Sequence, residues 1–587
     1  MGGVSGPPGA GRLLARMLRL FRPDAAHLVA AFSFLILGVV CDTLVPLYQG
    51  EVIDGLRGQE LQTSFSYAIG QLALVSLGSS LFSGLRGGLF MSALSRLNKR
   101  LKRLLFHTLL QQEVHFFEEN NPGGLSSRLH SDVDRMGRSV ALSANTVVRS
   151  AVRGALMLAV MWSVSWELTA LCCLEMPVMA AMQNKHIALA KDLKDQVQDC
   201  HAQTRALALQ AFGGVRTVRG SGAEPEERRR YGEALRRLGA VKRRSGVYSA
   251  AFLLVRRLVT LGIKVLMLVQ ARALVSSGRL GVGGLVSFLL YQKPMSTNLR
   301  EIMYCYGETL STVGVISKVF GYLDRTPGGR TGRLAPERLE GRIEFRGVSF
   351  TYPSAAGGPP ALKAVNMVLR PGAMTALVGP SGSGKSSCVA LLKRLYEAQE
   401  GQILLDGEPL HLYEHKYFHQ KVALVSQNPQ LFSGSLRYNM AYGLQRCSAR
   451  RVEEAARRVQ AHDFISKMEN GYDTDVGECG AALSEGQKQS VAVIRALVRE
   501  PRVIILDEAT SQLDVDTQHA VLQEVLAGGR TVLVVAHQLQ TAEKADHIVF
   551  LEKGVVVEEG THRQLMARRG RYHRLKEELF SQPRKLS

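Results

Sequence analysis

Long apolar runs in the first half of the chain constrain its fold more strongly than any other feature. A helix needs about 20 largely apolar residues to cross a bilayer. Six candidate runs occur, and the last two are interrupted by arginine and lysine residues. They lie at residues 27–47, 65–90, 147–164, 168–182, 248–275 and 283–291, the last extended toward residue 316. The sequence therefore predicts a domain of six helices that spans a lipid bilayer.

The charge of the chain follows the same division. The net charge is +22 although 46% of the residues are hydrophobic, and this combination excludes a disordered chain. Residues 1–335 carry +19 of the charge and residues 336–587 only +3. A chain this basic is a candidate for nucleic-acid binding, but the excess accompanies the apolar runs, so no nucleic acid is expected as a partner. The basic stretches 96–145 and 185–244 are predicted to be cytosolic loops.

The second half has a different pattern. Four short β-rich runs alternate with helical patterns, which is typical of an α/β domain with a largely parallel sheet. A stretch rich in Pro, Gly and Arg precedes them and is predicted to be a linker. The eight cysteines show no Cys-x-x-Cys spacing, so we interpret them as reduced, structural thiols. The β-rich runs lie at residues 374–378, 422–425, 503–506 and 531–535.

A glycine-rich loop carries the clearest chemical signal. Residues 379–386 read Gly-Pro-Ser-Gly-Ser-Gly-Lys-Ser and fit the pattern G-x-x-x-x-G-K-[ST] without a mismatch. The predicted strand before it and the helix after it provide the context that a phosphate-binding loop requires. Its glycines let backbone amides surround phosphates, Lys385 is placed at the β- and γ-phosphates, and Ser386 is placed to ligate Mg²⁺. ATP and Mg²⁺ are therefore the predicted cofactors.

The ends of other predicted strands supply further polar groups. Asp507 is suited to hold the Mg²⁺ shell, and Glu508 is suited to polarise an attacking water. Gln427 can couple Mg²⁺ or water to a neighbouring element, and His537 can contact the γ-phosphate, with a structural role as its alternative. Tyr352 precedes the loop and is placed to stack on adenine; an ordinary aromatic residue of an edge strand is the alternative.

In this order, the motifs resemble the nucleotide-binding domain of ATP-binding-cassette transporters. The resemblance includes Leu-Ser-Glu-Gly-Gln at 483–487, the position of the family's signature, and Asp514 in Ser-Gln-Leu-Asp. Residues 116–129 resemble the first cytosolic coupling segment of the exporter branch. Six spans and one cassette form a half-transporter, so the resemblance implies a dimer. In that dimer ATP lies between the phosphate loop of one subunit and the signature of the other.

The predicted fold class is a multidomain membrane protein, with an all-α six-helix transmembrane domain followed by an α/β P-loop nucleotide-binding domain. Its regions are a cytosolic N-terminal segment (1–26), a transmembrane domain with two long coupling loops (27–325), a linker (326–340), the nucleotide-binding domain (341–580) and a tail (581–587). The predicted ATP-binding residues are Tyr352, Gly379, Pro380, Ser381, Gly382, Ser383, Gly384, Lys385, Ser386, Ser387, Gln427 and Asp507. The predicted catalytic residues are Glu508, His537, Lys385 and Gln427, the metal ligands Ser386, Gln427 and Asp507, and the signature residues Ser484, Glu485, Gly486 and Gln487.

The signature departs from the family at one position. Glu485 stands where the resemblance leads us to expect the first glycine of Leu-Ser-Gly-Gly-Gln. A carboxylate beside a γ-phosphate repels it, and the change from glycine also removes backbone freedom. A homodimer would carry this defect at both ATP sites. The sequence therefore predicts a heterodimer whose partner brings an intact signature to this chain's phosphate loop.

Segments along nearly the whole chain resemble the antigen peptide transporters, and among them the second subunits. They include residues 28–32, 77–81, 253–258 and 432–435. The resemblance implies a heterodimer with a first subunit that moves cytosolic peptides across the endoplasmic reticulum membrane for loading onto MHC class I molecules. Only about 26 residues precede the first span, whereas the family's second subunits carry extra N-terminal helices that recruit tapasin. Either tapasin docking is lost or the chain has been trimmed.

Basic residues within the predicted spans suggest a peptide-binding cavity. Residues 251–300 contain seven basic residues and no acidic one, and intramembrane cations are costly unless they face a polar cavity or a partner. An arginine suits the C-terminal carboxylate that all peptides share. The alternative is that these cations flank helix ends. The cavity residues proposed by spacing or by matching position are Arg149, Arg153, Met161, Ala250 and Arg256.

Other classes of protein share part of this pattern. A soluble cassette ATPase would explain the nucleotide motifs but not the apolar runs. A nucleotide-gated channel or a receptor-regulating cassette protein shares the whole architecture. Among transporters, the alternative is a related homodimeric lysosomal polypeptide exporter, against which Glu485 argues.

Overall fold

The computed structural model describes residues 10–56, 61–277, 279–326, 332–355, 357–509, 513, 515–536 and 539–581. The chain forms two compact units. The first, called the membrane unit below, comprises residues 1–107 and 126–324. The second, called the cassette unit, comprises residues 108–125 and 325–587. The predicted fold class, a helical first half followed by an α/β second half, is confirmed.

The first half of the chain consists of helices. Among the described residues of the membrane unit, six helices exceed 30 residues, and each predicted span lies on a different one of them. The helices are α1 (Ala10–Arg19), α2 (Ala25–Gly55), α3 (Leu61–Leu110), α4 (Val114–Glu119), α5 (Pro122–Ser127), α6 (Val133–Val164), α7 (Trp166–Gly213), α8 (Val215–Gly220), α9 (Glu224–Ser276) and α10 (Val282–Leu323).

Several of these helices are longer than a membrane is thick. Helix α9 contains 53 residues, which is roughly 80 Å of helix at 1.5 Å per residue, against a hydrocarbon core of about 30 Å. In the part of the chain that the structure describes, three stretches are long and apolar enough to cross a membrane by length and composition, namely 22–55, 65–110 and 122–164. Helices α7, α9 and α10 carry more polar residues in their corresponding stretches. The six-span topology and its orientation therefore stay predictions.

The cassette unit contains two sheets. The first has four strands in the order β2-β1-β4-β5, and its pairs are antiparallel. The second has six strands in the order β10-β9-β3-β8-β7-β6, and it is parallel from β9 to β6. The strands are β1 (Ile343–Phe350), β2 (Leu362–Leu369), β3 (Met374–Val378), β4 (Glu400–Leu405), β5 (Glu408–Pro409), β6 (Val422–Val425), β7 (Val503–Asp507), β8 (Thr531–Val535), β9 (His547–Glu552) and β10 (Val555–Gly560).

The four β-rich runs of the sequence form four neighbouring strands of the six-stranded sheet, in the order β3-β8-β7-β6. Strands β3, β7 and β8 are buried along almost their whole length, as expected for strands covered on both faces. Helices pack around the sheet and complete the core. They are α11 (Lys385–Leu392), α12 (His415–Lys421), α13 (Leu436–Met440), α14 (Ala449–Arg458), α15 (His462–Ser466), α16 (Glu485–Leu497), α17 (Val515–Ala527), α18 (Leu539–Glu543), α19 (His562–Arg568) and α20 (Arg571–Ser581).

Residues 116–125 of the first coupling segment belong to the cassette unit, although they interrupt the helical half in sequence. Helix α4 buries Phe116, which is 1% exposed, and the guanidinium carbon of Arg325 lies 4.9 Å from the centre of its ring. Glu113 and His115 line a cavity of 470 Å³ together with residues of the cassette. This part of the segment therefore packs against residues of the cassette within the unit.

The cysteine interpretation also agrees with the structure. All eight cysteines are free thiols. Cys388 lies in α11 within the core of the cassette unit, and its burial raises the pKa of its thiol to about 12. A thiol of this kind stays protonated at neutral pH and is chemically inert.

A buried basic cluster lies beside α12 in the cassette unit. Burial lowers the pKa of Lys393 to about 7, and Arg499 adds to the effect; the Lys393 ammonium donates to the carbonyl of Val422. Burial also lowers the pKa of His419 to about 3, with Lys393, His415, Arg394 and Arg499 contributing repulsion. The folded cassette therefore favours a neutral His419.

This preference predicts an acid-sensitive cassette. Between pH 6.5 and 3 the unfolded chain binds a proton at His419 that the folded chain does not, so the free energy of unfolding falls as the pH falls through this window. One such proton corresponds to a slope of at most about 1.4 kcal/mol per pH unit. His419→Gln should flatten the slope, measured by urea-dependent pulse proteolysis of the cassette in the full chain. His411→Gln, at an exposed position, is the matched control, and equal slopes for both variants would contradict the assignment.

Candidate functional site

Three polar segments meet at one edge of the parallel sheet. Strands β3, β7 and β6 run parallel, so the segments that follow them lie at the same edge. These segments are the loop 379–384, the pair Asp507 and Glu508, and Gln427. In open α/β sheets ligands bind outside the carboxyl ends of the strands. His537 follows β8, but it lies outside the described residues, as does Asp514.

The phosphate-binding loop has the backbone conformation that its glycines permit. Gly384 has φ of +105° at the start of α11. A Cβ added there would lie 2.8 Å from the carbonyl oxygen of Ala361 and 2.7 Å from Leu362 Cδ2. Both the dihedral angle and the space therefore require glycine at this position.

Lys385 is the buried cation of the loop, and only 5% of it is exposed. Its Nζ donates to the carbonyl oxygens of Gly379 at 2.8 Å and Pro380 at 2.9 Å. Burial lowers the pKa of its ammonium, while the nearby Glu508 and Asp507 partly offset this effect. The ammonium is thus held by weak carbonyl partners, which a phosphate oxygen would replace with a stronger, charged one.

Glu508 is held in a defined orientation. Gln427 Nε2 donates to Glu508 Oε2 at 2.7 Å, and the backbone carbonyl of Gln427 accepts from the buried Gln489 at 2.7 Å. The backbone of Glu508 has φ of +50°, which is strained for a residue with a side chain and is typical of functional sites. Gln427 and Glu508, predicted separately from the sequence, are therefore direct neighbours.

The predicted metal ligands offer a donor set that suits Mg²⁺. Ser386 is exposed in the first turn of α11, Asp507 is half-buried at the end of β7, and Gln427 lies after β6. All three present oxygen atoms, which Mg²⁺ prefers, and Mg²⁺ completes its shell with water and substrate phosphates rather than with many protein ligands. The buried Ser383 Oγ has no hydrogen-bond partner among the described residues, as expected of a loop shaped around a polar ligand.

Tyr352 belongs to an aromatic cluster. Its ring lies edge-on to Phe350 at 4.8 Å and to Tyr396 at 5.3 Å between ring centres. Its hydroxyl is 3.1 Å from Ser387 Oγ in α11, so the side chain is positioned at the phosphate-binding helix. The ring is half-buried, and adenine stacking on it stays a prediction.

The signature segment caps helix α16. Ser484 Oγ accepts from the amide of Gln487 at 3.3 Å, and Gln487 Oε1 accepts from the amide of Ser484 at 3.0 Å. Glu485 is the first residue of the helix and forms an ion pair of 2.8 Å with Lys488. Position 485 is thus helical and requires no glycine. A carboxylate there also suits the helix dipole.

The Glu485 side chain keeps 58% of its surface exposed. An ion pair so open to solvent cancels only part of its charge. The charge of Glu485 therefore remains available to repel a phosphate, whereas a loss of backbone freedom at this helical position does not distinguish it from glycine. Gly486 lies beside Glu485 in the first turn of α16.

The membrane unit contains a cavity of 380 Å³ between α7, α9 and α10. Arg256 lines it, together with Arg257, Lys264, Lys293 and Arg300. Among the described residues, none of these five cations forms an ion pair with a carboxylate. The structure therefore places Arg256 in the lining of a cavity that has an excess of positive charge.

The other proposed cavity residues lie elsewhere. Met161 is buried in an apolar cluster, and Ala250 is exposed on α9 outside the lining of the described cavities. Arg149 lines a separate cavity and binds Glu301 at 2.9 Å. Arg153 pairs with Asp42 at 3.9 Å.

Sequence reasoning did not detect these two ion pairs. Glu301 lies one residue beyond the acid-free stretch 251–300, and Asp42 lies within the first apolar run, 27–47. A signal was available in the sequence for Asp42, which is isolated in an apolar run, where a partner is expected. Both pairs join residues that are more than 100 positions apart.

Comparisons with known proteins agree with this architecture. Residues 28–299 match the sequence profile described as ABC transporter transmembrane region, and residues 362–511 match the profile described as ABC transporter. Antigen peptide transporter 2 of Homo sapiens is 45% identical over 562 residues, which cover 94% of this chain and 82% of that protein. The ABC-type oligopeptide transporter ABCB9 of Rattus norvegicus is 39% identical, with coverages of 98% and 76%. Antigen peptide transporter 1 of Rattus norvegicus is 35% identical, with coverages of 98% and 80%.

A helical membrane unit followed by one phosphate-loop cassette defines the class of ATPase-type membrane transporters. The chain belongs to the ABC transporters, as a half-transporter with one membrane region and one nucleotide-binding region. This membership confirms the resemblance on which the sequence analysis relied.

Proposed function

We propose that the chain is one subunit of a heterodimeric, ATP-driven peptide exporter. It moves cytosolic peptides into the lumen of the endoplasmic reticulum for loading onto MHC class I molecules. One observation supports the proposal of a heterodimer. The chain combines a complete phosphate loop with a signature in which Glu485 replaces glycine. The names of the relatives, two antigen peptide transporters and an oligopeptide transporter, support peptide as the substrate class.

In this proposal the competent ATP site combines this chain's phosphate loop with the partner's signature. Lys385 exchanges its two carbonyl partners for phosphate oxygens. Glu508, oriented by Gln427, polarises the water that attacks the γ-phosphate. His537 contacts the γ-phosphate from the end of β8, and Asp514 lies in the segment that faces the partner. Tyr352 stacks on adenine, and Mg²⁺ bound by Ser386, Asp507 and Gln427 supplies charge neutralisation for the phosphates.

The second site is the degenerate one. There this chain contributes Ser484, Glu485, Gly486 and Gln487 to ATP held by the partner. Two unit charges 4 Å apart interact by about 4 kcal/mol at an effective dielectric constant of 20, so even a partly neutralised carboxylate opposes phosphate binding strongly. Lys488 weakens this repulsion without removing it, because the ion pair is exposed. Two sites of unequal competence therefore follow from one substitution.

The peptide site of this subunit is the cavity lined by Arg256. Its five cations attract the C-terminal carboxylate that every peptide carries. Arg149 and Arg153 are each paired with an acid of the chain, so they contribute to the packing of α2, α6 and α10 in this state. We propose that Arg149, Arg153, Met161 and Ala250 line the peptide cavity only in other conformations, in which the helices pack differently.

The remaining partners follow from the same proposal. The chain is a multi-pass protein of the endoplasmic reticulum membrane, with its cassette in the cytosol and a first subunit of the antigen peptide transporter beside it. The peptide-loading machinery for MHC class I lies downstream of transport. Tapasin docking forms no part of the proposal.

A homodimeric lysosomal polypeptide exporter is the second candidate. The 39% identity to an oligopeptide transporter favours it, and the peptide cavity fits it equally. Glu485 disfavours it, since both ATP sites of a homodimer would then carry the carboxylate. A nucleotide-gated channel or a regulator would not accumulate substrate against a gradient.

Co-expression tests the proposal directly. Membrane vesicles that contain this chain together with a first subunit should concentrate a labelled peptide in the presence of ATP and Mg²⁺. Vesicles with this chain alone should show at most background uptake, because neither ATP site has an intact signature. Robust uptake by this chain alone would refute the heterodimer, and equilibration without concentration would indicate a channel.

The defect at Glu485 predicts a gain of function. Glu485→Gly in the chain alone should raise ATP hydrolysis by roughly tenfold or more, the scale on which single transition-state contacts act. The substitution should also lower the stability of the cassette by about 1 kcal/mol, since glycine is a poor helix residue. Glu508→Gln added to Glu485→Gly is the control and should abolish the gain. No increase in hydrolysis by a folded Glu485→Gly chain would contradict the electrostatic explanation.

The cavity assignment predicts a selective loss of substrate. Arg256→Glu should lower uptake of peptides with a free C-terminal carboxylate by about tenfold, the scale of one charge-assisted hydrogen bond. Uptake of the same peptides with an amidated C-terminus should fall much less. Arg272→Glu, on the same helix but outside the cavity lining, is the matched control. Equal losses for both kinds of peptide would contradict a carboxylate site at Arg256.

A further inference from the structure

The cavity of 380 Å³ that Arg256 lines contains one acid, Glu175, among its described lining residues. Glu175 lies on α7 and is 3% exposed, and Gln292 lies on α10 and is 2% exposed; both line the cavity. Gln292 Nε2 donates to Glu175 Oε2 at 3.0 Å. The cations Arg257, Lys264 and Lys293 are exposed by comparison. The cavity therefore has a buried inner part built of hydrogen-bond acceptors and an exposed part built of cations.

Glu175 differs from other acids of the membrane unit. Ten described acids of this unit each lie within 4.0 Å of an arginine side chain, and four of these ten lie in helices α2, α7 and α10. Among the described residues, by contrast, Glu175 forms no ion pair, although five cations line the same cavity. The four pairs are Asp42 with Arg153, Glu167 with Arg279, Glu301 with Arg149 and Glu308 with Arg135.

An uncompensated carboxylate in the interior of a membrane protein is costly and calls for a partner. The neighbouring amide shows the same deficit: Gln292 Oε1 is buried and has no hydrogen-bond partner among the described residues. Two acceptors, one of them charged, thus lie side by side in one cavity. Their common complement is a group that carries positive charge and several N–H donors.

We propose that Glu175 and Gln292 form a subsite for a cationic nitrogen of the transported peptide. The inference rests on the proposed function, because it assumes that this cavity receives peptide. Glu175 accepts from the cation as its counter-ion, and Gln292 Oε1 accepts a second N–H while its own amide group holds the carboxylate in place. The exposed cations meanwhile hold a carboxylate of the same peptide. The positive and the negative group of one peptide thereby bind in the buried and the exposed part of the cavity, respectively. This separation sets the orientation of the peptide.

Two groups of a peptide present this chemistry, the N-terminal ammonium and the side chain of a lysine or arginine. Three nonapeptides of otherwise neutral sequence distinguish them. The first is N-acetylated and has a C-terminal leucine, the second has a free N-terminus, and the third is N-acetylated with a C-terminal lysine. Their inhibition constants are measured against a labelled reference peptide, in membranes that contain this chain and its partner subunit.

For the wild-type complex, at least one of the two cationic peptides should bind about tenfold more tightly than the neutral one, the scale of a hydrogen bond to a charged group. Glu175→Gln should abolish that advantage and leave the neutral peptide within about twofold, while Glu175→Asp should restore part of it. The peptide that loses its advantage identifies the group bound. Glu167→Gln, on the same helix but outside the cavity lining, should leave all ratios unchanged.

A ratio of affinities does not depend on how much variant protein folds. If Glu175→Gln does not assemble, Gln292→Met, which removes the bond to Glu175, should lower the same ratio. An unchanged ratio of cationic to neutral peptide affinity in Glu175→Gln overturns the subsite alone; where Gln292→Met is used instead, an unchanged ratio in that variant has the same meaning. A wild-type complex that shows no preference for either cationic peptide also overturns the subsite alone. A wild-type complex that binds none of the peptides and concentrates no peptide with ATP overturns the proposed function together with the subsite.

Discussion

Pairing of buried charge is the constraint on which both units of this protein depend. In a medium of low dielectric constant an isolated charge is costly, whereas a paired or hydrogen-bonded charge is tolerated. In the cassette unit Lys385 donates hydrogen bonds to two backbone carbonyls, and Glu508 accepts a hydrogen bond from Gln427. In the membrane unit Arg149 forms an ion pair with Glu301, and Arg153 forms one with Asp42. Unpaired charge is therefore a marker of a position where a ligand of opposite charge would bind.

This marker separates two kinds of charged site in the membrane unit. The cavity that contains Arg149 also contains its acid partner Glu301, so the charge of Arg149 is paired within the chain. The cavity that contains Arg256 has five cations and the buried Glu175 in its lining, and no ion pair joins them among the described residues. Only the second arrangement gains from a charged substrate. An ATP-driven change of helix packing would exchange such contacts for others, which is a way for substrate release to follow from ATP binding.

The cassette shows how much of a site can be predicted from sequence. Motifs at the ends of strands β3, β6 and β7 were each predicted from the sequence, and the structure brings Gln427 to Glu508 as direct neighbours because parallel strands place their carboxyl ends together. The capping role of Ser484 and the ion pair of Glu485 with Lys488 were not foreseen. Both are local, at spacings of three residues, and a serine before a helix with glutamine three positions later is a known capping pattern.

The sequence by itself determined the division into a helical membrane half and an α/β cassette, the phosphate loop and the substituted signature. Hydrophobic periodicity and short motifs act over a few residues, so they can be read without a fold. Only the tertiary structure decided which charges meet. Glu175 reaches Gln292 across 117 positions and Arg149 reaches Glu301 across 152, and no local pattern encodes such distances. Helix packing selects these partners because it sets which side chains share a low-dielectric space. For that reason one arginine of the predicted cavity lines it, while two others are bound to acids elsewhere.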